Sequence, residues 1–307
     1  MIRQPVQQTT VNTGFIGHTP RPARFPRRHR VHRASRKSGW LLVAVVVVMI
    51  LLFPLYWMAV SSVTPIGNLF STHLQLIPQL SDLRFGTFVN IFRQYPLFNW
   101  LLNSTLVTVG AVALSLASAV PAGFALSRIG PGGGTAAGLL MLLSRVVPGT
   151  LLVIPFFVMF EEVKLLNTLW GLIIADTSII VPFAAWLLKG FFDSIPRELD
   201  DAAMVDGCNR WSTFARVIVP LSKPGIGAVA IYAVILAWSD YLFSLTLLLD
   251  PTHWTLTVGA ASLITEHTVD WNSLMAMGVV AVVPMLVAFL FLEPFLVSGL
   301  TAGATVG

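Results

Sequence analysis

WLLVAVVVVMILLFPLYWMAVSS, Trp40–Ser62, runs for 23 residues without one charged side chain. As a helix rising about 1.5 Å per residue it reaches roughly 35 Å, enough to cross the ~30 Å hydrocarbon layer of a bilayer. It has no polar face to turn toward water, so it does not read as a surface helix. The rest of the chain agrees. Of 307 residues, 55% are hydrophobic and 11% charged, and the mean hydropathy is +0.79. One globular core cannot hide that much apolar surface, which places the chain among integral membrane proteins.

Five further apolar runs of about spanning length lie near residues 100–126, 135–160, 168–190, 225–249 and 272–296. With the opening run near 40–62 they predict an all-α protein of six transmembrane helices. The third run carries Arg145 and Pro148, and the fifth carries Asp240. Six spans put both termini on one side. Residues 1–38 hold nine Lys and Arg and no acid; Arg128, Lys189, Arg197, Arg210, Arg216 and Lys223 fall on the same side. The other side has Arg84, Arg93 and Lys164. The basic side is expected to be cytoplasmic.

Three regions follow. Residues 1–38 have the Pro-, Arg- and Ser-rich composition of a disordered cytoplasmic tail, 39–297 form the membrane domain, and 298–307 form a short cytoplasmic tail. The basic tail reads as an orientation signal that touches anionic lipid, not as a nucleic-acid arm. Arg27-Arg28 resembles an export signal, but the apolar run behind it is too long to be cleaved off.

Several chemistries are excluded. Cys208 is the single cysteine, so neither a disulfide within the chain nor a cysteine metal cluster is available. His253 and His267 are too far apart, and too poorly supported, to hold a metal. The Gly-rich turn RIGPGGGTAAG, Arg128–Gly138, lacks the Lys-Ser/Thr and the preceding strand of a phosphate-binding loop. No nucleophile, base and orienting group occur together, and no catalytic residue or cofactor is expected of this chain.

One internal loop stands out by its polarity. It covers residues 193–224 and contains ELDDAAMVDGCNRWSTFARVIVP, Glu198–Pro220. Pro196 suits a first helical turn, and Glu198, Asp200 and Asp201 suit the positive end of a helix dipole. A helix over roughly 196–206 is predicted, with Leu199, Ala202, Ala203 and Asp206 on one stripe. Gly207 permits a sharp bend, and a second helix runs from Asn209 to about Ile218, ended by Pro220. An alanine stripe with acidic flanks fits a docked protein surface; lying on lipid is the other use of such a helix.

DAAMVDGCNRWSTFARVIVP resembles the EAA loop of ATP-binding-cassette importer permeases, whose pattern is Glu-Ala-Ala, three residues, Gly, nine residues and Ile-x-Leu-Pro. Asp201, Ala202, Ala203, Gly207, Val217, Val219 and Pro220 stand at those places, with Asp for Glu and Val for Ile and Leu. PLYWMAVSSV (Pro54–Val63), VPFAAWLLKGFFDSIPRELDDAA (Val181–Ala203), AWSDYLF (Ala237–Phe243) and GLTAGATVG (Gly299–Gly307) resemble the six-span permeases of the carbohydrate-uptake, maltose-type branch. Glu293-Pro294 departs from the basic or Gln residues usual there. The resemblance implies the type I importer fold with a cytoplasmic coupling helix, in a bacterial plasma membrane. Glu198, Asp201, Ala202, Ala203, Asp206, Gly207 and Pro220 would then couple to an ATPase. The implied partners are a homologous second permease, an ATPase dimer that binds ATP and Mg, and an extracytoplasmic sugar-binding protein.

Ionisable groups at membrane depth mark functional sites by default. Arg145, Asp176 and Asp240 are of this kind; Trp238 and Tyr241 flank Asp240, and Asn103 and Ser104 lie in the second span. Asn103, Trp238, Asp240 and Tyr241 are candidates for a sugar pathway. Pairing among the ionisable groups, or with a partner permease, is the alternative. Other solutes for the same machinery, such as amino acids, peptides or glycerol phosphate, stay open at this point. So does an ion-coupled transporter, although no internal repeat supports one.

Overall fold

The computed structural model describes residues 28–69, 77–78, 83–128, 133–265 and 268–303. The chain divides into two units, Met1–Phe53 and Pro54–Gly307. The first holds most of helix α1 (Arg28–Val63). That helix begins within the segment read from composition as a tail, and residues 1–27 of the tail lie outside the described residues.

The second unit contains the end of α1, then α2 (Ile66–Leu69), α3 (Gly86–Gln94), α4 (Leu97–Arg128), α5 (Gly133–Ser144), α6 (Gly149–Glu162) and α7 (Leu169–Asp193). After these come α8 (Glu198–Val205), α9 (Arg210–Thr213), a π-helical turn (Phe214–Ile218), α10 (Val219–Leu221), α11 (Lys223–Ser239), α12 (Leu242–Leu247), α13 (Leu256–Ala261) and α14 (Trp271–Gly303). Helix α14 continues through residues 298–303, which composition assigns to the tail; residues 304–307 lie outside the described residues.

Trp40–Val63, Leu97–Arg128, Leu169–Asp193 and Trp271–Phe295 are each long and apolar enough to span alone. The other two expected spans are not single straight helices. Gly134–Ser144 and Gly149–Glu162 meet at 88°. The break follows from Pro148, whose ring disfavours a helical Val147 and whose own ψ of 133° has left the helix. The run read as 225–249 ends as a helix at Ser239, and the chain turns at Asp240 (ψ 127°) into the short α12. Helix α11 is instead joined, at 76°, to the helical path Arg210–Leu221 before it.

The core lies where α4 packs along α7, with α11 against both. Its buried residues are dominated by alanine: Ala111, Ala119, Ala184, Ala185, Ala233 and Ala237 surround Leu188, Phe192 and Ile218. In lipid, burial of apolar surface does not drive helices together, so small residues that let backbones approach supply the packing energy instead. Gly123 shows the extreme, since a Cβ there would meet Ala185 O and Leu188 Cβ at 2.9 Å. A second cluster joins Val107 and Leu172 to Phe160 and Phe243, and a third joins Trp100 and Leu97 to Leu256 and Met277. The segment after Asp250 contains a short helix, α13, as its length allows.

Candidate coupling segment and polar groups of the bundle

Helix α8 is shorter than the predicted 196–206 by two residues at its start and one at its end. Its first turn carries Glu198, Asp200 and Asp201, which favour the dipole's positive end. Gly207 closes it with φ +85°, the left-handed region that an L side chain enters at a cost. Two backbone bonds complete the stop: Gly207 N donates to Met204 O at 3.1 Å and Cys208 N to Ala203 O at 2.9 Å. This is the two-bond C-terminal motif that satisfies the last free carbonyls. Asn209 Oδ1 then accepts from Ser212 N at 2.8 Å and opens the next helix.

Of the predicted stripe Leu199, Ala202, Ala203 and Asp206, Ala203 is buried and the other three are exposed. The short helix packs against α9 and the π-turn of its own loop, and Ala203 is its buried residue. Pro220, expected to end the second helix, lies within a helical path that continues to Leu221. The π-turn at Phe214–Ile218 precedes it and takes up the register change imposed by the missing Pro N–H. What the loop presents outward is apolar and acidic together: Val205 is 87% exposed, Trp211 69% and Met204 45%, beside exposed Glu198, Asp201 and Asp206.

The base of α8 is tied down by charge. Arg128 Nε lies 2.6 Å from Asp200 Oδ2, both side chains mostly buried. Arg128 Nη1 also donates to Phe192 O at 3.2 Å, and Arg197 Nη2 donates to Ser127 O at 3.1 Å. A cleft of about 650 Å³, lined by Phe124, Arg128, Arg197, Asp200, Asp201 and Arg210 among others, adjoins these groups. Neither Arg128 nor Asp200 stands out in the sequence as a pair, because their contact depends on how the ends of α4 and α7 meet.

The pathway candidates divide in the structure. Asn103 is buried, and its Nδ2 donates to Thr252 O at 2.9 Å and Trp254 O at 3.0 Å. Asp240 caps α12: its Oδ2 accepts from Ser244 N at 2.8 Å and Ser244 Oγ at 2.9 Å. Its backbone carbonyl accepts from Thr257 Oγ1 at 2.6 Å. Asn103 and Asp240 thus both hold the segment 252–257. Trp238 lines a largely apolar cavity of about 340 Å³ with Thr105, Thr108, Val112, Val234 and others, and Tyr241 is exposed beside the break.

Arg145 sits at the bend between α5 and α6; its Nη1 donates to Ile179 O at 3.2 Å, and its guanidinium lies 5.9 Å from the ring centres of Phe183 and Tyr232. Asp176 is buried. Among the described residues no ion pair joins Arg145, Asp176 or Asp240 to one another. Asn167, at φ 58°, was not singled out by the sequence; its Oδ1 accepts from Leu249 N and Asp250 N. His253 is described, and His267 lies outside the described residues.

A helical bundle with four apolar spans and two bent pairs is that of a multi-pass membrane protein. The chain belongs to the family described as binding-protein-dependent transport system inner membrane component, whose model matches residues 119–301. It is similar to the diacetylchitobiose uptake system permease protein DasC of Streptomyces coelicolor, with 33% identity over 87% of this chain and 97% of that one. It is also similar to the arabinooligosaccharides transport system permease protein AraQ of Halalkalibacterium halodurans, at 30% over 90% and 99%. A third relative is the maltodextrin transport system permease protein MdxG of Bacillus subtilis, at 32% over 72% and 80%. Among solved structures, a chain of a bacterial ABC transporter that imports the acidic polysaccharide alginate superposes with a TM-score of 0.70. That match covers 90% of this chain and 99% of that one at 20% identity, a likeness of fold.

Proposed function

We propose that this chain is a transmembrane subunit of an ATP-binding-cassette importer for a sugar, forming half of the translocation pathway. Sugar as the cargo is supported by the relatives named for diacetylchitobiose, arabinooligosaccharides and maltodextrin. The single observation that carries the coupling role is α8, closed at Gly207 and projecting exposed Val205, Met204 and acidic side chains from a loop of matching pattern. Such a surface suits a cleft on a separate ATPase, with α8 and Gly207 as its lever.

The partners in this reading are a second homologous permease, an ATPase dimer that holds ATP and Mg, and an extracytoplasmic sugar-binding protein; this chain itself performs no hydrolysis. The share of Lys and Arg in the loop and tail supports a cytoplasmic side of a bacterial plasma membrane for α8 and both termini. Closure of the ATPase dimer displaces the docked α8, and the permease pair exchanges inward-open and outward-open states. Sugar moves because each state exposes its site to one side only. The test is purification in mild detergent from the native host, with mass spectrometry of the bound proteins. Recovery of an ATPase, a second permease and a sugar-binding protein is the expected result. A stable oligomer of this chain alone would overturn the reading.

A further inference from the structure

Helix α4 is bonded at both ends to segments far away in sequence. At one end Trp100 Nε1 donates to Pro251 O at 3.1 Å, Asn103 Nδ2 donates to Thr252 O and Trp254 O, and Leu256 N donates to Ser104 Oγ at 2.8 Å. At the other end Arg128, its last residue, meets Asp200 of α8 at 2.6 Å. The 29 residues from Trp100 to Arg128 make 28 helical steps, about 42 Å and more than the hydrocarbon thickness. Between the two ends α7 backs the helix closely. Gly110 faces Ile173, and Gly123, two residues beyond the helix-interior Pro121, faces Ala185 O and Leu188 Cβ. Support at that point resists bending where the proline removes a ladder bond.

We propose that α4 is a transmission rod: displacement of α8 enters it through the Arg128–Asp200 pair and leaves through Trp100, Asn103 and Ser104, which shift Pro251–Leu256 on the opposite side of the membrane. The proposal rests on α8 being the coupling helix. The pair suits this task because both side chains are over four-fifths covered, so the attraction is little screened, and because a lone partner would be left as a buried charge. Arg128 Nη2 and Asp200 Oδ1 are buried with no hydrogen-bond partner among the described residues. The pair is the charge contact of this joint, beside the bonds of Arg128 Nη1 to Phe192 O and of Arg197 Nη2 to Ser127 O. Linkage requires reciprocity: a protein docking against Pro251–Leu256 must act back on α8 and hence on ATP hydrolysis.

The experiment uses the reconstituted transporter with its second permease, ATPase and sugar-binding protein. Thr252→Cys in a Cys208→Ser background is labelled with a membrane-impermeant maleimide, with and without ATP and vanadate, and ATP hydrolysis is measured with and without the binding protein. In the parent protein the labelling rate depends on nucleotide. Asp200→Asn, of nearly equal size, is expected to assemble fully yet to lose most of that dependence and at least 5-fold of the stimulated hydrolysis. Arg128→Asp with Asp200→Arg recovers both, which a merely structural role does not require. Asn103→Leu, remote from the ATPase, also loses the labelling response while the complex stays assembled. The rod is overturned if assembled Asp200→Asn keeps the parent's nucleotide-dependent labelling, or if Asp200→Asn abolishes assembly, making the pair a structural clamp. Failure of the coupling reading looks different: the parent itself shows no response, and Gly207→Glu transports normally.

Discussion

Gly207 sits at φ +85°, and a Cβ there would meet no atom within 4 Å beyond its own chain neighbours, so conformation and not space demands glycine there. A β-branched residue in that region costs roughly 1–2 kcal/mol, whereas Asn tolerates it. Gly207→Asn is therefore expected to retain most sugar uptake, Gly207→Val to lose more, and Gly207→Glu to be inserted but uncoupled because it obstructs docking. Radiolabelled uptake at matched membrane levels checks the order, and full uptake by Gly207→Glu would count against docking. Asn103 is the second decisive residue. Asn103→Leu removes the donor to the part-buried carbonyls of Thr252 and Trp254, at a cost of about 1 kcal/mol. A lower melting temperature of the purified transporter, with faster proteolysis of the 250–257 segment, is the expected signature. Gly207 was legible because a glycine after an acidic, alanine-bearing run has few other reasons to be there. The bonds of Asn103 were not, because their acceptors lie some 150 residues away.

At the scale of elements, the two bent spans are where composition misleads. Hydropathy counts apolar residues and is blind to direction, so 225–249 reads as one rod although it turns at Asp240. The signals were present as Pro148 in one run and Asp240 in the other, and their physical meaning is a broken backbone ladder and a side-chain cap. Asp240 precedes the N-cap position, Tyr241, yet its carboxylate accepts from Phe243 N and Ser244 N; a side-chain cap of this kind contributes about 1 kcal/mol, and Asn replaces Asp almost equally well. Asp240→Ala is expected to destabilise the transporter by about that amount and Asp240→Asn by much less. Thermal denaturation of both variants decides it; equal losses would show that the charge, not the cap, matters. The same scale accounts for α8, whose limits follow from Pro196, its acidic first turn and Gly207 and fall within two residues of the prediction. Pro220 failed as a stop because a π-turn upstream accommodates it.

For the whole molecule, orientation is the first matter to test. The basic excess predicts that Val205→Cys, in a Cys208→Ser background, is labelled by an impermeant maleimide from the cytoplasmic face only. Labelling in intact cells without permeabilisation would invert the topology and remove α8 from reach of any cytoplasmic ATPase. The packing is the second. Gly123→Val must separate α4 from α7 against contacts at 2.9 Å, and overpacking of this kind costs about 1–3 kcal/mol, read as a lower melting temperature and poorer recovery in detergent. By itself the sequence determined the membrane class, the number of apolar runs and the loop's helix–glycine–helix form. These depend on composition and on neighbours within one or two turns, where hydrocarbon thickness and backbone conformation act locally. Only the tertiary structure decided which runs bend, that Ala203 turns inward while Val205 stands out, that Arg128 meets Asp200, and that Asn103 and Asp240 hold one distant segment. Those contacts join residues tens to more than a hundred positions apart, and they are set by how close the small faces of α4, α7 and α11 allow the backbones to come.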